Sequence, residues 1–94
     1  MEFKNNQIIS VIVPCFNSGK TLRRTIQSIK NQTWKNKEII VVNDGSNDKK
    51  TLEILEDLKN DKLLKIINQN NKGLSSARNN GVLNSKGSYL FFLD

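Results

Sequence analysis

The sequence has no histidine and only one cysteine, and both shortages narrow the chemistry open to the chain. Without histidine, these residues supply neither a histidine general base nor a histidine metal ligand. A single cysteine, Cys15, excludes an internal disulfide and favours a reducing compartment. We therefore interpret Cys15 as a small buried hydrophobic residue rather than a nucleophile, because no histidine is present to activate it.

The sequence also lacks any apolar run long enough to cross a bilayer, and its polar start is unlike a signal peptide. These absences predict a cytoplasmic protein, while a peripheral association of a longer parent with the inner face of the membrane stays open. The length of 94 residues suits one small domain, at the low end for an α/β enzyme.

The net charge of +6 is the one strong compositional bias. A basic balance suits a nucleic acid, an anionic membrane surface or a phosphorylated small molecule as partner. The lysines are scattered, with no block longer than two, and aromatic residues do not alternate with them. Since a recognition-helix pattern is missing as well, we do not expect a nucleic-acid partner.

A short buried strand at residues 39–42 organises the rest of the pattern. Its four consecutive β-branched residues favour a strand covered on both faces, as in parallel α/β sheets. Residues 43–46, Asn-Asp-Gly-Ser, then supply a tight polar turn. Because open α/β sheets bind ligands at the carboxyl ends of their strands, Asp44 is the first candidate site residue.

Similar patterns predict strands at 8–13, 63–67 and 88–93, and helices at 20–32, 49–59 and 74–85. The order β-α-β-α-β-α-β predicts an α/β fold, a Rossmann-like parallel sheet with right-handed crossovers. Strand one should end at Pro14 or pair there on one side only. Helix two should bury Leu52, Leu55 and Leu58, and Gly87 is expected just beyond helix three.

Four segments resemble the family 2 inverting glycosyltransferases of the GT-A fold. They are ISVIVPCFN at 9–17, EIIVVNDGSND at 38–48, NKGLSSARNNG at 71–81 and KGSYLFFLD at 86–94. The last matches the approach to the family's Asp-x-Asp signature. The four motifs occur in the family's order and cover nearly the whole chain, which is far more specific than a lone glycine pattern.

The resemblance implies that residues 1–94 are the amino-terminal, nucleotide-sugar-binding part of a truncated GT-A domain. Pro14, Cys15 and Phe16 would lie against the nucleobase, and Asp44 would accept a hydrogen bond from it, typically from the uracil imide. Arg78 would lie near the base and the diphosphate. Asp94 would be the first Asp-x-Asp carboxylate, approaching the ribose and a Mg²⁺ or Mn²⁺ ion.

Two departures from the family pattern qualify these expectations. Asn43 stands where the family commonly has aspartate, which removes one negative charge without removing hydrogen-bonding capacity. The second Asp-x-Asp carboxylate, the catalytic base and the acceptor-binding half are absent from residues 1–94. The parent would move a sugar from a donor such as a UDP-sugar to a hydroxyl acceptor, whereas these residues alone should not catalyse transfer.

Plainer interpretations remain open for each residue. Asp44 would then be a turn former, Arg78 a solvated helix residue, and Asp94 an ordinary strand-end polar residue. A separate hypothesis is that the chain is a non-catalytic nucleotide-binding module, or an oligomerising one that pairs copies through its exposed fourth strand.

Overall fold

The computed structural model describes residues 7–93 of the chain. Within this range the chain alternates strictly between strands and helices, as the sequence predicts. The strands are β1 (Ile9–Cys15), β2 (Lys37–Asp44), β3 (Leu64–Gln69) and β4 (Tyr89–Phe92), and the helices are α1 (Gly19–Lys30), α2 (Lys49–Leu58) and α3 (Leu74–Leu83). Asp94, the predicted nucleotide and metal ligand, lies outside the described residues.

The four strands form one parallel sheet in the order β3-β2-β1-β4. The predicted Rossmann-like α/β fold is therefore confirmed. From β1 the chain advances to β2 and β3, and then returns through α3 to place β4 on the other side of β1. The strand order reverses beside β1, and in open α/β sheets the crevice outside the carboxyl ends at such a reversal is where ligands bind.

Pro14 lies within β1 and pairs only with β2. Its partner there is Val42, whereas the pairing of β1 with β4 ends at Ile12 opposite Phe92. A proline has no backbone N–H, so it is tolerated where the strand has a neighbour on one side only. Of the two alternatives that the sequence left open, one-sided pairing is correct.

Alternate residues of β1 and β2 point to opposite faces of the sheet and build two apolar layers. The larger layer packs these strands against α1 and α2; its buried members are Ile9, Val11, Val13, Cys15, Leu22, Ile26, Ile29, Ile39, Val41 and Leu55. The smaller layer packs Ile12, Ile40 and Val42 against Ala77 of α3. Residues 39–42 are shielded from solvent, so the predicted two-sided burial is confirmed.

Helix α2 is rotated relative to the predicted orientation. Its buried residues are Thr51, Ile54 and Leu55, whereas Leu52 is 45% exposed. The expectation for Leu52 was wrong. It rested on the three-residue spacing of Leu52, Leu55 and Leu58, which groups the leucines on one face of the helix, whereas the buried face is centred elsewhere. Thr51 takes the inward place, since its hydroxyl accepts a hydrogen bond from the buried Gly19 N–H at 3.0 Å.

Gly87 does not follow the end of α3 directly, so its predicted helix-ending role was wrong. The helix ends at Leu83 with Asn84 as its C-cap. Gly87 instead approaches β1, where its N–H donates to the Ser10 hydroxyl at 2.9 Å. A Cβ at this position would lie 2.7 Å from the Ile8 carbonyl oxygen and 2.8 Å from the Ser10 backbone nitrogen, so the close approach of two backbones requires glycine.

Thr51→Val should lower the free energy of unfolding by about 1–3 kcal/mol, because it leaves the buried Gly19 N–H without an acceptor at nearly constant volume. The same change removes the hydroxyl that donates to Asp48, the N-cap residue of α2, at 2.8 Å. Chemical denaturation followed by circular dichroism measures the loss. Thr21→Val on the exposed face of α1 is the matched control and should change stability little; equal effects of the two variants would contradict the assignment.

Candidate functional site

The Asp44 carboxylate, at the carboxyl end of β2, is held by three donors from the β3–α3 region. Its Oδ1 accepts from Gln69 Nε2 at 2.9 Å and from the Lys72 N–H at 2.7 Å. Its Oδ2 accepts from the Gly73 N–H at 3.0 Å. The side chain is fixed in place, and the whole residue is only 6% exposed.

These hydrogen bonds, that from Gln69 first, hold the pKa of Asp44 below its ordinary value of 3.8, against the increase that burial alone would cause. A folded pKa below the unfolded one means that the ionised carboxylate stabilises the fold at pH values above the ordinary pKa. That contribution is lost as the pH falls through the lowered pKa. At neutral pH, Asp44 is therefore a charged group that only accepts hydrogen bonds.

The turn at the end of β2 is stabilised by hydrogen bonds of the Asn43 side chain and requires a glycine at position 45. Asn43 Oδ1 accepts from the Ser46 N–H at 3.0 Å, and its Nδ2 donates to Asn68 Oδ1 at 3.0 Å. Asn43, which replaces the family's usual aspartate, thus uses a donor that a carboxylate lacks. Gly45 has a φ of +73°, and a Cβ there would lie 2.8 Å from the Asn71 backbone nitrogen.

Asn17 joins the loop after β1 to the loop after β2. Its side-chain Oδ1 accepts from the N–H groups of Asn47 and Asp48 at 2.8 and 2.9 Å. Its own N–H donates to Ser46 Oγ at 2.9 Å. The residue adopts a φ of +52°, a left-handed conformation that asparagine tolerates better than most residues.

A cavity of about 300 Å³ opens between these loops and the start of α3. It is lined by Pro14, Cys15, Phe16, Asp44, Leu74 and Ala77. Cys15 is 2% exposed, whereas the Phe16 ring is 48% exposed and free to cover a ligand. The cavity therefore places an apolar ring and a fixed carboxylate on the same small space, as a site for a flat, polar-edged ligand requires.

The chain is similar in sequence to a known family over nearly its whole length. The sequence profile described as "Glycosyl transferase family 2" matches residues 10–94. The chain belongs to glycosyl transferase family 2.

Individual relatives named as glycosyltransferases are similar to this chain as well. The chain is 46% identical to glycosyltransferase GlyA of Streptococcus pneumoniae over 86 residues, which is 92% of the chain and 12% of GlyA. It is 43% identical to poly(ribitol-phosphate) beta-N-acetylglucosaminyltransferase TarP of Staphylococcus aureus over 89 residues, which is 92% of the chain and 27% of TarP. The chain thus spans about a quarter or less of these relatives.

The fold agrees with that of a solved structure. The crystal structure of S. aureus TarS residues 1–349 superposes with a TM-score of 0.79 at 33% identity, covering 92% of this chain and 26% of TarS 1–349.

Among residues 7–93, none of the helices has the length and apolarity that a bilayer crossing needs.

The structure brings four of the six predicted family 2 site residues to one cavity: Pro14, Cys15, Phe16 and Asp44. Arg78 is partly buried on α3, one residue beyond the cavity-lining Ala77, and does not line the cavity itself. Asp94 lies outside the described residues. The roles that the resemblance implies for all six stay predictions.

The divalent cation that the family resemblance implies has no complete set of ligands among residues 7–93, and its predicted ligand, Asp94, lies outside them. Between residues 7 and 93 there is no group of three acidic or cysteine side chains that could hold a metal ion. Three of the acceptor positions of Asp44 are already occupied by protein donors. A hard cation needs several oxygen ligands, so residues 7–93 alone would not hold one.

The sequence analysis did not identify four residues that hold Asp44 or line the cavity. Gln69 and the N–H groups of Lys72 and Gly73 bind Asp44 from 25–29 residues away, and Leu74 lines the cavity. The asparagine-rich loop at 68–71 and the glycine at its end were the available signals. For Asn17, which joins the two loops, the sequence offered a weaker signal, namely an asparagine inside a turn.

A second cavity of about 440 Å³ lies at the opposite edge of the sheet, where the strands begin. Five lysines line it: Lys35, Lys37, Lys62, Lys65 and Lys86. Lys37 Nζ donates to the carbonyls of Ile29 and Gln32 at the end of α1. A lysine near the carboxyl end of a helix balances the helix dipole, so Lys37 has a structural role here. The cavity lined by Asp44 is the candidate site, because it lies at the carboxyl ends of the strands.

Gly45→Ala should lower the free energy of unfolding by about 1–3 kcal/mol, because it combines a left-handed φ with a clash against Asn71. Urea denaturation measures this loss. Gly73→Ala is the matched control: its φ is also positive, at +95°, but a Cβ there meets no atom within 4 Å. We expect Gly45→Ala to be the more destabilising variant, and a larger loss from Gly73→Ala would rule out the contact with Asn71 as the cause.

Proposed function

We propose that this chain is the donor-nucleotide-binding part of a glycosyltransferase that moves a sugar from a UDP-sugar to a hydroxyl acceptor. The observation that supports it most directly is the cavity at the carboxyl edge of the sheet, where the fixed Asp44 carboxylate and the half-exposed Phe16 ring meet. Membership of family 2 supports the class of reaction.

The chemistry of Asp44 favours a base that presents an N–H group. An ionised carboxylate accepts hydrogen bonds and cannot donate them. Uracil offers an imide N–H on its ring edge, while its flat faces suit the exposed Phe16 ring. A fixed acceptor that needs no reorientation lowers the cost of binding.

The remaining parts of the proposal rest on family resemblance. Arg78 would bind near the base and the diphosphate, and Asp94 would hold Mg²⁺ or Mn²⁺ beside the ribose. The acceptor would displace the diphosphate directly, with inversion, using a base that residues 1–94 do not include. These residues alone would therefore bind nucleotide without transferring sugar. The single cysteine separately supports a cytoplasmic protein.

Asp44→Asn should weaken UDP binding about 10- to 100-fold, the value of one hydrogen bond to a charged acceptor. Titration calorimetry with UDP, with and without Mg²⁺, measures the change. Asp57→Asn is the matched control, since Asp57 is an exposed carboxylate of α2 paired with Arg23. The proposal fails if the full-length protein that contains this chain transfers sugar equally well with Asp44 and without it.

The outer edge of β4 favours a second candidate function, an oligomerising module. Within residues 7–93 this strand pairs with β1 alone, and Leu90, Phe91, Phe92 and Leu93 are 37–45% exposed. Trp34 stacks on Phe91 with ring centroids 5.2 Å apart, which extends the apolar surface. An apolar edge strand is a template for pairing with another chain.

If β4 pairs two copies, the molar mass measured by light scattering after size-exclusion chromatography should rise with concentration. The double variant Leu90→Lys with Phe92→Lys should stay monomeric, because charges on an edge strand oppose pairing. Leu52→Lys, at a comparably exposed leucine of α2, is the control and should behave as the unmodified chain. A monomer at millimolar concentration would exclude this second function.

A further inference from the structure

Gln69 is the last residue of β3 and lies opposite Asp44 in the parallel register. Its side-chain amide joins two elements: Nε2 donates to Asp44 Oδ1 at 2.9 Å, and Oε1 accepts from Asn80 Nδ2 of α3 at 3.0 Å. Asn80 Oδ1 in turn accepts from Asn84 Nδ2 at 3.0 Å. This chain of amides fixes which end of Gln69 faces the carboxylate, since the reverse orientation would set two oxygens against each other.

The hydrogen bonds around Asp44 can be counted atom by atom. A carboxylate offers about four acceptor positions, two on each oxygen. Gln69 and the Lys72 N–H fill both positions of Oδ1, and the Gly73 N–H fills one of Oδ2. Among residues 7–93, the remaining acceptor position, on Oδ2, receives no protein donor, and Asp44 lines the cavity.

We infer that Gln69 is a positioning residue for nucleobase selection: by occupying Oδ1, it makes Asp44 accept one ligand N–H and disfavours a base that presents two. The inference rests on the proposed nucleotide-binding function. The lowered pKa of Asp44, whose largest cause is the Gln69 hydrogen bond, is consistent with it.

Uracil and guanine differ in the feature that this arrangement selects. The imide edge of uracil presents one N–H between two carbonyl groups. Guanine presents its ring N–H and its exocyclic amine side by side, a pair that suits both oxygens of a free carboxylate. With Oδ1 occupied, the guanine amine would be buried without an acceptor, which is unfavourable and acts against the wrong ligand.

Inosine diphosphate and GDP test this rule in the unmodified full-length protein that contains this chain. The two differ only in the exocyclic amine, so ring size and phosphates are matched. We expect inosine diphosphate to bind about tenfold more tightly than GDP, although it has one donor fewer. Equal binding, tighter binding of GDP, or no binding of either would overturn the inference.

Gln69→Met tests the residue itself, because it keeps about the length of the side chain and removes the donor from one position on Oδ1. The preference for UDP over GDP should shrink about tenfold, and the advantage of inosine diphosphate over GDP should disappear. Gln27→Met, the same substitution on the exposed face of α1, is the control. If Gln69→Met weakens every nucleotide by the same factor, Gln69 has only a structural role.

The two proposals fail in different ways. If the unmodified protein does not bind UDP, the proposed function itself is wrong. If it binds UDP but does not prefer inosine diphosphate to GDP, the proposed function stands and the role of Gln69 in base selection is wrong. Calorimetry with UDP, GDP and inosine diphosphate separates these results in one series.

Discussion

The parallel pairing of β1 with β2 determines where every group of the candidate site lies. Their register runs from Ile9 opposite Lys37 to Cys15 opposite Asn43, so both strands end at the same edge of the sheet. Because side chains of both strands are buried on both faces, a slip of one residue would exchange the two apolar layers. The hydrophobic pattern therefore fixes the register, and the register brings the two polar turns side by side.

The turns are then held together mainly by hydrogen bonds between loops rather than by apolar packing. Asn17 joins the loop after β1 to the loop after β2, and Asp44 joins the end of β2 to the start of α3. The donors in these bonds are backbone N–H groups of the turns. Glycine or asparagine occupies the turn positions with positive φ, because these residues tolerate a left-handed backbone best. The result is a carboxylate whose free acceptor position is set before any ligand arrives.

A charged group held in this way suits selective recognition better than tight binding alone. Asp44 stays ionised because its donors outweigh the effect of burial on its pKa. With three of its acceptor positions filled by protein donors, it would select a ligand, in our proposal, by the number of donors that the ligand presents. Phe16, half exposed at the rim, adds contact area to any flat ligand without adding hydrogen-bond selectivity.

The sequence by itself determined the order of the elements, the two-sided burial of residues 39–42 and, through its motifs, the family. These features follow from local periodicity, turn residues and short-range spacing, all of which can be read along one segment. Only the tertiary structure decided that Thr51 rather than Leu52 faces inward, that Gly87 packs on β1, and that Gln69 holds Asp44. The physical reason is distance: such contacts join residues that only folding brings together, and hydrogen bonds form within a few tenths of an ångström, which no periodicity specifies.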